Sequence, residues 1–385
     1  MSPLTAKPTS YDEFKSAIHA GNVALPILPD MRNLCLAATA LALVSVTGCN
    51  KETPAPAPTA AAPAAPPTPP PAPAKPPLRI GFSDWPGWTA FEIGIQKGWF
   101  KDEGVDVKFD WFEYAPSMEA FAAGKVDAVM MTMGDALVTG APGARSLAIL
   151  ITDYSNGNDM IVAKKGITSL KQLKGKKVGL ETGLVEHLML TKGLEKIGLK
   201  IGDVTLVNVP THQTAQTLAS GNVDAIGAWQ PNAGQALKAV AGSKPIFTSA
   251  DLPGLIYDLV CVNPQSLSQR RAEWVKVVKV WNKISGFVRD PANQAEAVKI
   301  MAGRAGVPPE EYVKYLPGTK FLSAEEALKR FEPGETLDSL YGSGKVADNF
   351  NVANKVYDKP QPVAAYIDGT LSKEALGAPT AAAAK

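Results

Sequence analysis

Short apolar runs alternate with stretches of helical periodicity from Leu78 to about residue 272. The runs have the length and β-branched content of buried strands, and the stretches between them space apolar residues three and four apart. Ala272–Arg330 is almost entirely helical in pattern. The alternation predicts an α/β fold with mainly parallel sheets flanked by helices. The predicted strands are Arg79–Phe82, Val105–Phe112, Val126–Thr132, Ser146–Thr152, Asp159–Lys164, Lys177–Glu181, Thr205–Val209, Val223–Trp229, Pro245–Thr248 and Tyr257–Asn263.

An internal repeat organises this pattern. Residues 122–129 (AAGKVDAV) recur as residues 219–226 (ASGNVDAI). Each copy reads as a helix end, a glycine C-cap and the entry into a buried strand. The repeat predicts two similar halves, each with its own sheet. Asp127 and Asp224 could form a catalytic pair, but each begins a strand, away from the ligand-facing carboxyl end, so we interpret both as structural.

The two lobes are expected to be discontinuous in sequence. Lobe one takes residues 78–162 and 262–330, and lobe two takes residues 163–261. The chain then crosses between lobes near Met160–Lys164 and near Asp258–Asn263, and two such crossings would act as hinges that let the lobes close around a ligand. Residues 331–385 are weakly patterned and are expected to form an extension peripheral to lobe one.

The N-terminal residues resemble an export signal. An apolar run from Leu34 to Val46 follows Met31-Arg32-Asn33, and it is too short to span a bilayer. It closes on Val46–Cys49, which resembles a bacterial lipobox. We therefore predict an upstream extension at 1–30, a lipoprotein signal peptide at 31–49 and acylation at Cys49. Residues 50–77 are mostly Pro and Ala and predict a semi-rigid tether.

Composition argues against several classes of function. The chain of 385 residues has 39 basic and 37 acidic residues, a net charge of +2 that gives no case for nucleic acid as a partner. Three scattered cysteines and three histidines argue against a metal site. The chain has no Gly-rich phosphate loop, Gly-x-Ser-x-Gly elbow or HExxH motif. We therefore expect no cofactor and no enzyme activity.

Several stretches together resemble a known family. They are the lipobox leader, Trp-Pro-Gly-Trp at 85–88, GWFKDEGVDV at 98–107 and the two Gly-x-Val-Asp-Ala copies. They look like the solute-binding proteins of ABC importers, of the nitrate/sulfonate/taurine type that includes binders of thiamine pyrimidine precursors. The resemblance covers residues 78–330. It implies a monomeric, two-lobed, type II periplasmic-binding-protein fold that delivers its ligand to a permease and its ATPase.

Candidate ligand contacts follow the rule that ligands of open α/β sheets lie outside the carboxyl ends of strands. The loop after the first strand carries two tryptophans that could stack on a flat ring or attract a cation. Some of the acidic candidates could instead only cap a turn or a helix. The candidates of lobe one are Asp84, Trp85, Trp88, Asp135, Asp153, Ser155 and Asn156, with Asp258 at the return crossing.

In lobe two, Glu181, Thr182 and Gly183 join a strand to a helix, and the backbone N–H groups there could bind an anionic group. Trp229 ends the strand of the second repeat. The candidate loops together hold five carboxylates and no lysine or arginine, which argues against nitrate or sulfate. An amine-bearing or heteroaromatic ligand, such as zwitterionic taurine or an aminopyrimidine, fits better.

These observations predict an extracytoplasmic, lipid-anchored component of an ABC importer that captures a small nitrogen- or sulfonate-bearing organic solute between its lobes. A ligand-sensing subunit for a membrane receptor is one alternative. An enzyme similar to pyrimidine-precursor synthases is another, but those enzymes use a pyridoxal-phosphate lysine and a cysteine-rich iron motif, and this chain has no cysteine cluster.

Overall fold

The computed structural model describes residues 75–377. The predicted upstream extension at 1–30, the signal peptide with Cys49, all but the last three residues of the tether and the final residues 378–385 lie outside the described residues.

Eleven strands form two separate mixed sheets in the described part of the chain. The first sheet has the order β11-β4-β10-β3-β1-β2, and the second has the order β7-β6-β8-β5-β9. The strands are β1 (Leu78–Phe82), β2 (Val107–Trp111), β3 (Ala128–Thr132), β4 (Leu147–Ser155), β5 (Asp159–Ala163), β6 (Lys177–Leu180), β7 (Thr205–Asn208), β8 (Ala225–Trp229), β9 (Lys244–Thr248), β10 (Tyr257–Val262) and β11 (Thr319–Phe321).

The sheets confirm the α/β prediction, but they are mixed rather than mainly parallel, since four of the nine strand pairs are parallel and five are antiparallel. In each sheet three neighbouring strands are parallel, β2-β1-β3 in the first and β7-β6-β8 in the second, and an antiparallel strand, β10 or β5, follows them. Strand β3 is apolar and buried along its whole length, as expected for a strand covered by helices on both faces. The short strand β11 was not predicted, because it lies within a stretch of otherwise helical pattern.

Helices cover the sheets, and they are α1 (Pro86–Thr89), α2 (Phe91–Gln96), α3 (Trp99–Asp102), α4 (Tyr114–Ala122), α5 (Met133–Gly140), α6 (Val185–Lys196), α7 (Thr214–Ala219), α8 (Asn232–Ala239), α9 (Pro264–Arg289), α10 (Gln294–Ala305), α11 (Pro309–Tyr312), α12 (Ala324–Arg330), α13 (Leu340–Ala353) and α14 (Thr370–Ala375). The longest, α9, begins with Pro264 after Asn263, whose side chain accepts hydrogen bonds from the Gln265 and Ser266 N–H groups.

Between residues 75 and 377, no helix combines the length and the apolar character needed to cross a membrane.

The internal repeat has the same geometry in both halves of the molecule, where the first half is the part built on the six-stranded sheet and the second half the part built on the five-stranded sheet. The Asp127 carboxylate accepts a hydrogen bond from the Arg79 N–H at 2.9 Å, and the Asp224 carboxylate accepts one from the Lys177 N–H at 3.0 Å. Each aspartate thus fixes the start of the first strand of its half against the start of the third. This confirms that the two residues are structural.

The crossings between the sheets differ from those predicted. Residues 156–158 connect β4 of the first sheet to β5 of the second, and residues 249–256 lead back from β9 to β10. Strand β5 therefore belongs to the second sheet and β10 to the first, so the predicted hinges fall inside strands. The apolar pattern of a strand does not reveal which sheet it joins, and this explains the error.

The segment after residue 330 is not peripheral. Helix α13 packs against α5 of the first half and also contacts α6 of the second half. Its residues Leu340, Ala347 and Phe350 are buried in the main hydrophobic core, as are Tyr366 and Leu371 beyond it. The segment is thus part of the folded unit.

Candidate functional site

The loop after β1 is built tightly against the first sheet. The Trp85 indole N–H donates a hydrogen bond to Oδ1 of Asp153 at 2.9 Å. A Cβ atom at Gly87 would overlap with the Asp153 carboxylate, so only glycine lets the loop approach this side chain. The Tyr312 hydroxyl donates to the Pro86 carbonyl at 2.9 Å and supports the loop from the other side. These contacts fix where the two tryptophans lie.

Three aromatic rings extend from this loop to the second half of the molecule. Trp88 stacks on Tyr114 with a centroid distance of 5.7 Å. Tyr114 and Trp229 are packed edge to face, with a centroid distance of 5.1 Å. Around them lies a recess, here called the inner recess, whose lining residues are all buried. The lining residues are Trp85, Trp88, Tyr114, Thr132, Asp159, Val185, Trp229, Ile256 and Asp258.

A second recess, here called the outer recess, shares Tyr114 and Trp229 with the first and includes exposed residues. Its lining residues are Asp84, Glu113, Tyr114, Glu181, Thr211, His212, Trp229 and Asn232. Contacts between the halves close it. Asp84 accepts hydrogen bonds from the Trp229 indole N–H at 2.9 Å and from the Asn232 amide at 2.7 Å. The Nδ1 atom of His212 and the Oε2 atom of Glu113, both in exposed residues of the outer recess, lie 3.1 Å apart.

Carboxyl groups dominate the electrostatics of this region. Burial raises the pKa of Asp135 and Asp159 to about 6 and that of Asp153 and Glu181 to about 7. Burial also raises the pKa of Glu186 and Asp258 well above the ordinary range, and neighbouring carboxylates add to this shift. Asp153 lies beside Asp258, and Asp159 lies beside Glu186, so burial and like charge together raise the pKa of these carboxyl groups and favour their protonated forms.

The same region lacks cations in the described residues. None of the lysine and arginine side chains between residues 75 and 377 forms an ion pair with any of these six carboxyl groups or with Asp84. The described residues that line the two recesses include no lysine or arginine, and their carboxyl groups and aromatic rings suit a positively charged partner better than an anion.

The sequence model of the NMT1-like family matches residues 71–302. The chain belongs to the NMT1-like family. Among its relatives, a Brucella abortus protein named as a binding protein is 26% identical over 295 residues, which are 76% of this chain and 90% of the relative. A Bacillus subtilis protein named "Putative aliphatic sulfonates-binding protein" is 27% identical over 311 residues, 78% of this chain and 88% of the relative.

Solved structures agree on the fold. The alkanesulfonate-binding protein SsuA from Xanthomonas axonopodis pv. citri, bound to MOPS, superposes with a TM-score of 0.64 at 19% identity and covers 77% of this chain and 99% of its own. The desulfurization enzyme DSZB superposes with a TM-score of 0.54 at 15% identity and covers 78% of this chain and 99% of its own. The NMT1-like chain therefore has the two-lobed binding-protein fold, and an enzyme shares that fold.

Half of the predicted contact residues of the NMT1-like chain border a recess. Trp85, Trp88 and Asp258 line the inner recess, Asp84 and Glu181 line the outer one, and Trp229 lines both. Asp135 and Asp153 are buried and line neither. Asp135 accepts hydrogen bonds from the Tyr114 and Thr132 hydroxyls, and the N-cap of α5 is Thr132 rather than Asp135. That any of them binds a ligand stays a prediction.

Besides Asp135 and Asp153, four further predicted residues line neither recess. Ser155 shares a hydrogen bond with Ser249 at 2.6 Å, and the Asn156 N–H donates to the Gly318 carbonyl, so both belong to the crossing between sheets. The Thr182 N–H donates to Asn208, and the Gly183 N–H donates to Nδ1 of His187. These two N–H groups, predicted to bind an anionic group, already have partners within the protein.

Sequence reasoning missed Tyr114 and Asp159, which both line the inner recess. Tyr114 follows β2, so the rule that ligands lie beyond the carboxyl ends of strands could have found it. Asp159 is the first residue of the crossing strand β5, and only the correct position of that crossing brings it into the cleft. Glu186, the second residue of α6, is buried near Asp159 and gave no signal in the pattern.

Proposed function

We propose that this protein is the extracytoplasmic solute-binding component of an ABC importer. It captures a small nitrogen- or sulfonate-bearing organic solute between its two halves and delivers that solute to a membrane permease and its ATPase. It acts as a binding protein without catalysis, as a monomer, on the outer side of a bacterial membrane where a lipid on Cys49 anchors it.

One observation carries the proposal. Both recesses are bordered by residues from both halves, so a ligand there would contact each half at once. In the inner recess, Trp85, Trp88 and Asp258 face Asp159 and Trp229 of the second half. Binding across such an interface favours the closed state over the open one, which is how a two-lobed binding protein signals that it is loaded.

The comparisons support the binding role and leave the solute open. The Bacillus subtilis relative is named for aliphatic sulfonates, and the Xanthomonas protein of similar fold is named for alkanesulfonates. Those names describe the relatives. DSZB is an enzyme of similar fold, so the fold alone does not argue against catalysis. The proposal that this chain only binds its ligand is supported by its relatives' names and by the residues of the cleft.

The test is native mass spectrometry of the full chain, purified gently in a nonionic detergent, followed by calorimetry with the compound of the bound mass. We expect a bound small organic solute whose affinity falls in Trp229→Ala and in Trp85→Ala. Trp99→Ala is the matched control, since Trp99 packs on Phe287 and borders neither recess. A protein that carries no solute, and whose Trp229→Ala and Trp99→Ala variants behave alike toward a broad panel, would contradict the proposal.

The anchor has a separate test. Cys49→Ala should move the protein from the membrane fraction to the soluble fraction of cells without changing its affinity for the solute. Retention of the variant in the membrane fraction would contradict lipid anchoring at Cys49.

A further inference from the structure

The inner recess combines aromatic walls with buried polar atoms that have no partner. Trp85, Trp88, Tyr114 and Trp229 supply the ring surface. One carboxylate oxygen of Asp159 and one of Asp258 receive no hydrogen bond from an N–H or hydroxyl donor within residues 75–377. The Trp88 indole N–H, in a residue that is 2% exposed, is likewise without an acceptor there.

Such groups are costly to bury without partners. A buried donor or acceptor that forms no hydrogen bond loses the hydrogen bonds it made to water, and a buried charge without a partner loses more free energy still. In native proteins, unpartnered buried groups are few, and each calls for a partner or an explanation. The three atoms named above belong to residues that line one recess, at which the two halves meet, whereas other unpartnered buried atoms, such as those of Ser83 and Ser146, belong to residues outside it.

The charge of the recess selects among ligand classes. A sulfonate or carboxylate in the inner recess would lie against the carboxyl groups of Asp159 and Asp258, which have Glu186 and Asp153 as neighbours, and it would meet no lysine or arginine among the lining residues. The backbone N–H groups of Thr182 and Gly183 are hydrogen-bonded elsewhere and offer an anion nothing. A cation with N–H donors would meet opposite charge, carboxylate acceptors and aromatic faces.

We propose that the inner recess binds a small organic cation, a protonated amine or an amidinium, whose N–H groups donate to Asp159 and Asp258 across the two halves. The free volume of the inner recess is about 10 Å³, room for about one water molecule, so the carbon skeleton packs among Trp85, Trp88 and Trp229 once these side chains move apart. One acceptor atom of the ligand, such as a hydroxyl or ring nitrogen, takes the hydrogen bond from the Trp88 indole. This inference rests on the proposed function, and it separates this chain from its sulfonate-named relatives.

The two bridging contacts also explain how such a ligand closes the cleft. Asp258 lies on β10 of the first sheet and Asp159 on β5 of the second. One cationic group that donates N–H hydrogen bonds to both carboxyl groups favours the ionised form of each and offsets their mutual repulsion, and it reaches both only when the halves are together. The open state gains no equivalent, so the ligand's charge favours closure.

The experiment is a calorimetric panel on the full chain in nonionic detergent at pH 7.5. The cationic probes are primary amines, amidines and aminopyrimidines that also carry a hydroxyl or ring nitrogen. The matched probes replace the amine or amidine with a sulfonate or a methyl group on the same skeleton. We expect binding among the cationic probes and at least a tenfold preference over their sulfonate and methyl counterparts.

Two variants and a control locate the site. Asp258→Asn and Asp159→Asn should each weaken the best cationic probe about tenfold or more, since each removes a charge-assisted hydrogen bond. Asp110→Asn should leave the affinity unchanged, because Asp110 pairs with Arg79 on the first sheet and borders neither recess. Should an asparagine variant fail to fold, Trp88→Phe provides the independent test. It keeps an aromatic ring at this position, although a smaller one, and removes the N–H, so it should also weaken binding.

The outcomes separate the inference from the proposed function. Binding of a sulfonate probe without its cationic counterpart would overturn the cation inference and leave the solute-binding role standing. Cation binding that is unchanged in Asp258→Asn, Asp159→Asn and Trp88→Phe would also overturn it, because the ligand would then lie elsewhere. Failure of every probe, together with a protein that carries no solute from cells, would overturn both.

Discussion

The indole N–H of Trp229, at the end of the last parallel strand of the second sheet, donates a hydrogen bond of 2.9 Å to Oδ1 of Asp84, in the loop after β1 of the first sheet. The other oxygen of Asp84 accepts from the Asn232 amide at 2.7 Å. One half-buried carboxylate therefore receives two donors from the opposite half. Because both partners are side chains, this contact can form and break as rigid halves move.

We expect Asp84→Asn to shift the molecule toward an open state. The asparagine keeps one acceptor oxygen but presents an amide N–H toward one of the two donors, so one charge-assisted hydrogen bond is lost and a donor faces a donor. Such bonds contribute about 1.5–3 kcal/mol, which corresponds to a change of roughly ten- to a hundredfold in the ratio of closed to open molecules. Small-angle X-ray scattering should show a larger radius of gyration.

The control for this variant is Asp110→Asn. It makes the same chemical change at a carboxylate that pairs with Arg79 and Lys108 within the first half. Its scattering profile should match that of the unmodified protein. Equal radii for Asp84→Asn and Asp110→Asn would mean that the Asp84 contact does not hold the halves together.

The paired aspartates of the repeat give a prediction about stability alone. Asp127→Ala and Asp224→Ala each leave a strand N–H, that of Arg79 or Lys177, without its carboxylate partner. We expect each to lower the free energy of unfolding by about 1–2 kcal/mol, measured by urea denaturation. Ligand affinity should not change in either variant, since neither residue borders a recess. A loss of affinity without a loss of stability would contradict the structural role.

Local patterns were enough to predict the two α/β halves. The glycine C-caps at 124 and 221 and the buried runs after them are set by backbone conformation and burial within a few residues. The same reasoning selected the two tryptophans of the first loop, which follow β1, and Trp229, which ends β8, because all three lie at the carboxyl ends of strands. The correct predictions are those that depend only on short stretches of the chain.

Long-range packing explains what was missed. Helix α13 contains Gly342 and Gly344, which lower helix propensity and weaken its pattern. Both glycines are needed for close approach: a Cβ atom at Gly344 would lie 2.6 Å from Val363, and one at Gly342 would overlap with the Thr336 carbonyl. The segment therefore looks irregular in sequence because it is tightly packed. The crossing at 156–158 was missed for a related reason, since sheet membership depends on distant partners.

The contact between Gly87 and Asp153 predicts an unusually sensitive position. Gly87→Ala would place a methyl group against a fully buried carboxylate under the tryptophan loop. We expect it to lower the free energy of unfolding by about 1–3 kcal/mol through overpacking, measured by urea denaturation, and to weaken ligand binding as the loop moves.

Gly286→Ala is the matched control for that variant. Gly286 is an exposed residue within α9, and a Cβ atom there meets nothing within 4 Å. The alanine should raise the free energy of unfolding by about 0.5–1 kcal/mol through helix propensity. A destabilisation of equal size in both variants would show that the Asp153 contact is not the cause.

The buried carboxyl groups predict how stability depends on pH. In the ligand-free protein the pKa values of Asp135 and Asp159 are raised to about 6 and those of Asp153 and Glu181 to about 7, mainly by burial, whereas unfolded chains titrate near 4. Between these values the folded state binds more protons than the unfolded state. Proton binding to these four groups therefore stabilises the folded state. This stabilisation is complete below about pH 4 and is lost as the pH rises through 6 and 7.

We accordingly expect the melting temperature of the ligand-free full chain to fall between pH 5.5 and pH 8, as measured by differential scanning calorimetry. Asp153→Asn should flatten this fall, because its amide can still accept from Trp85 and can donate to Asp258 without a proton being bound. Asp110→Asn should leave the fall unchanged, since the Lys108 and Arg79 contacts lower the Asp110 pKa and place its titration below this range. A melting temperature that rises toward pH 8, or an equal fall in Asp153→Asn, would mean that these carboxyl groups do not keep their protons in the folded protein.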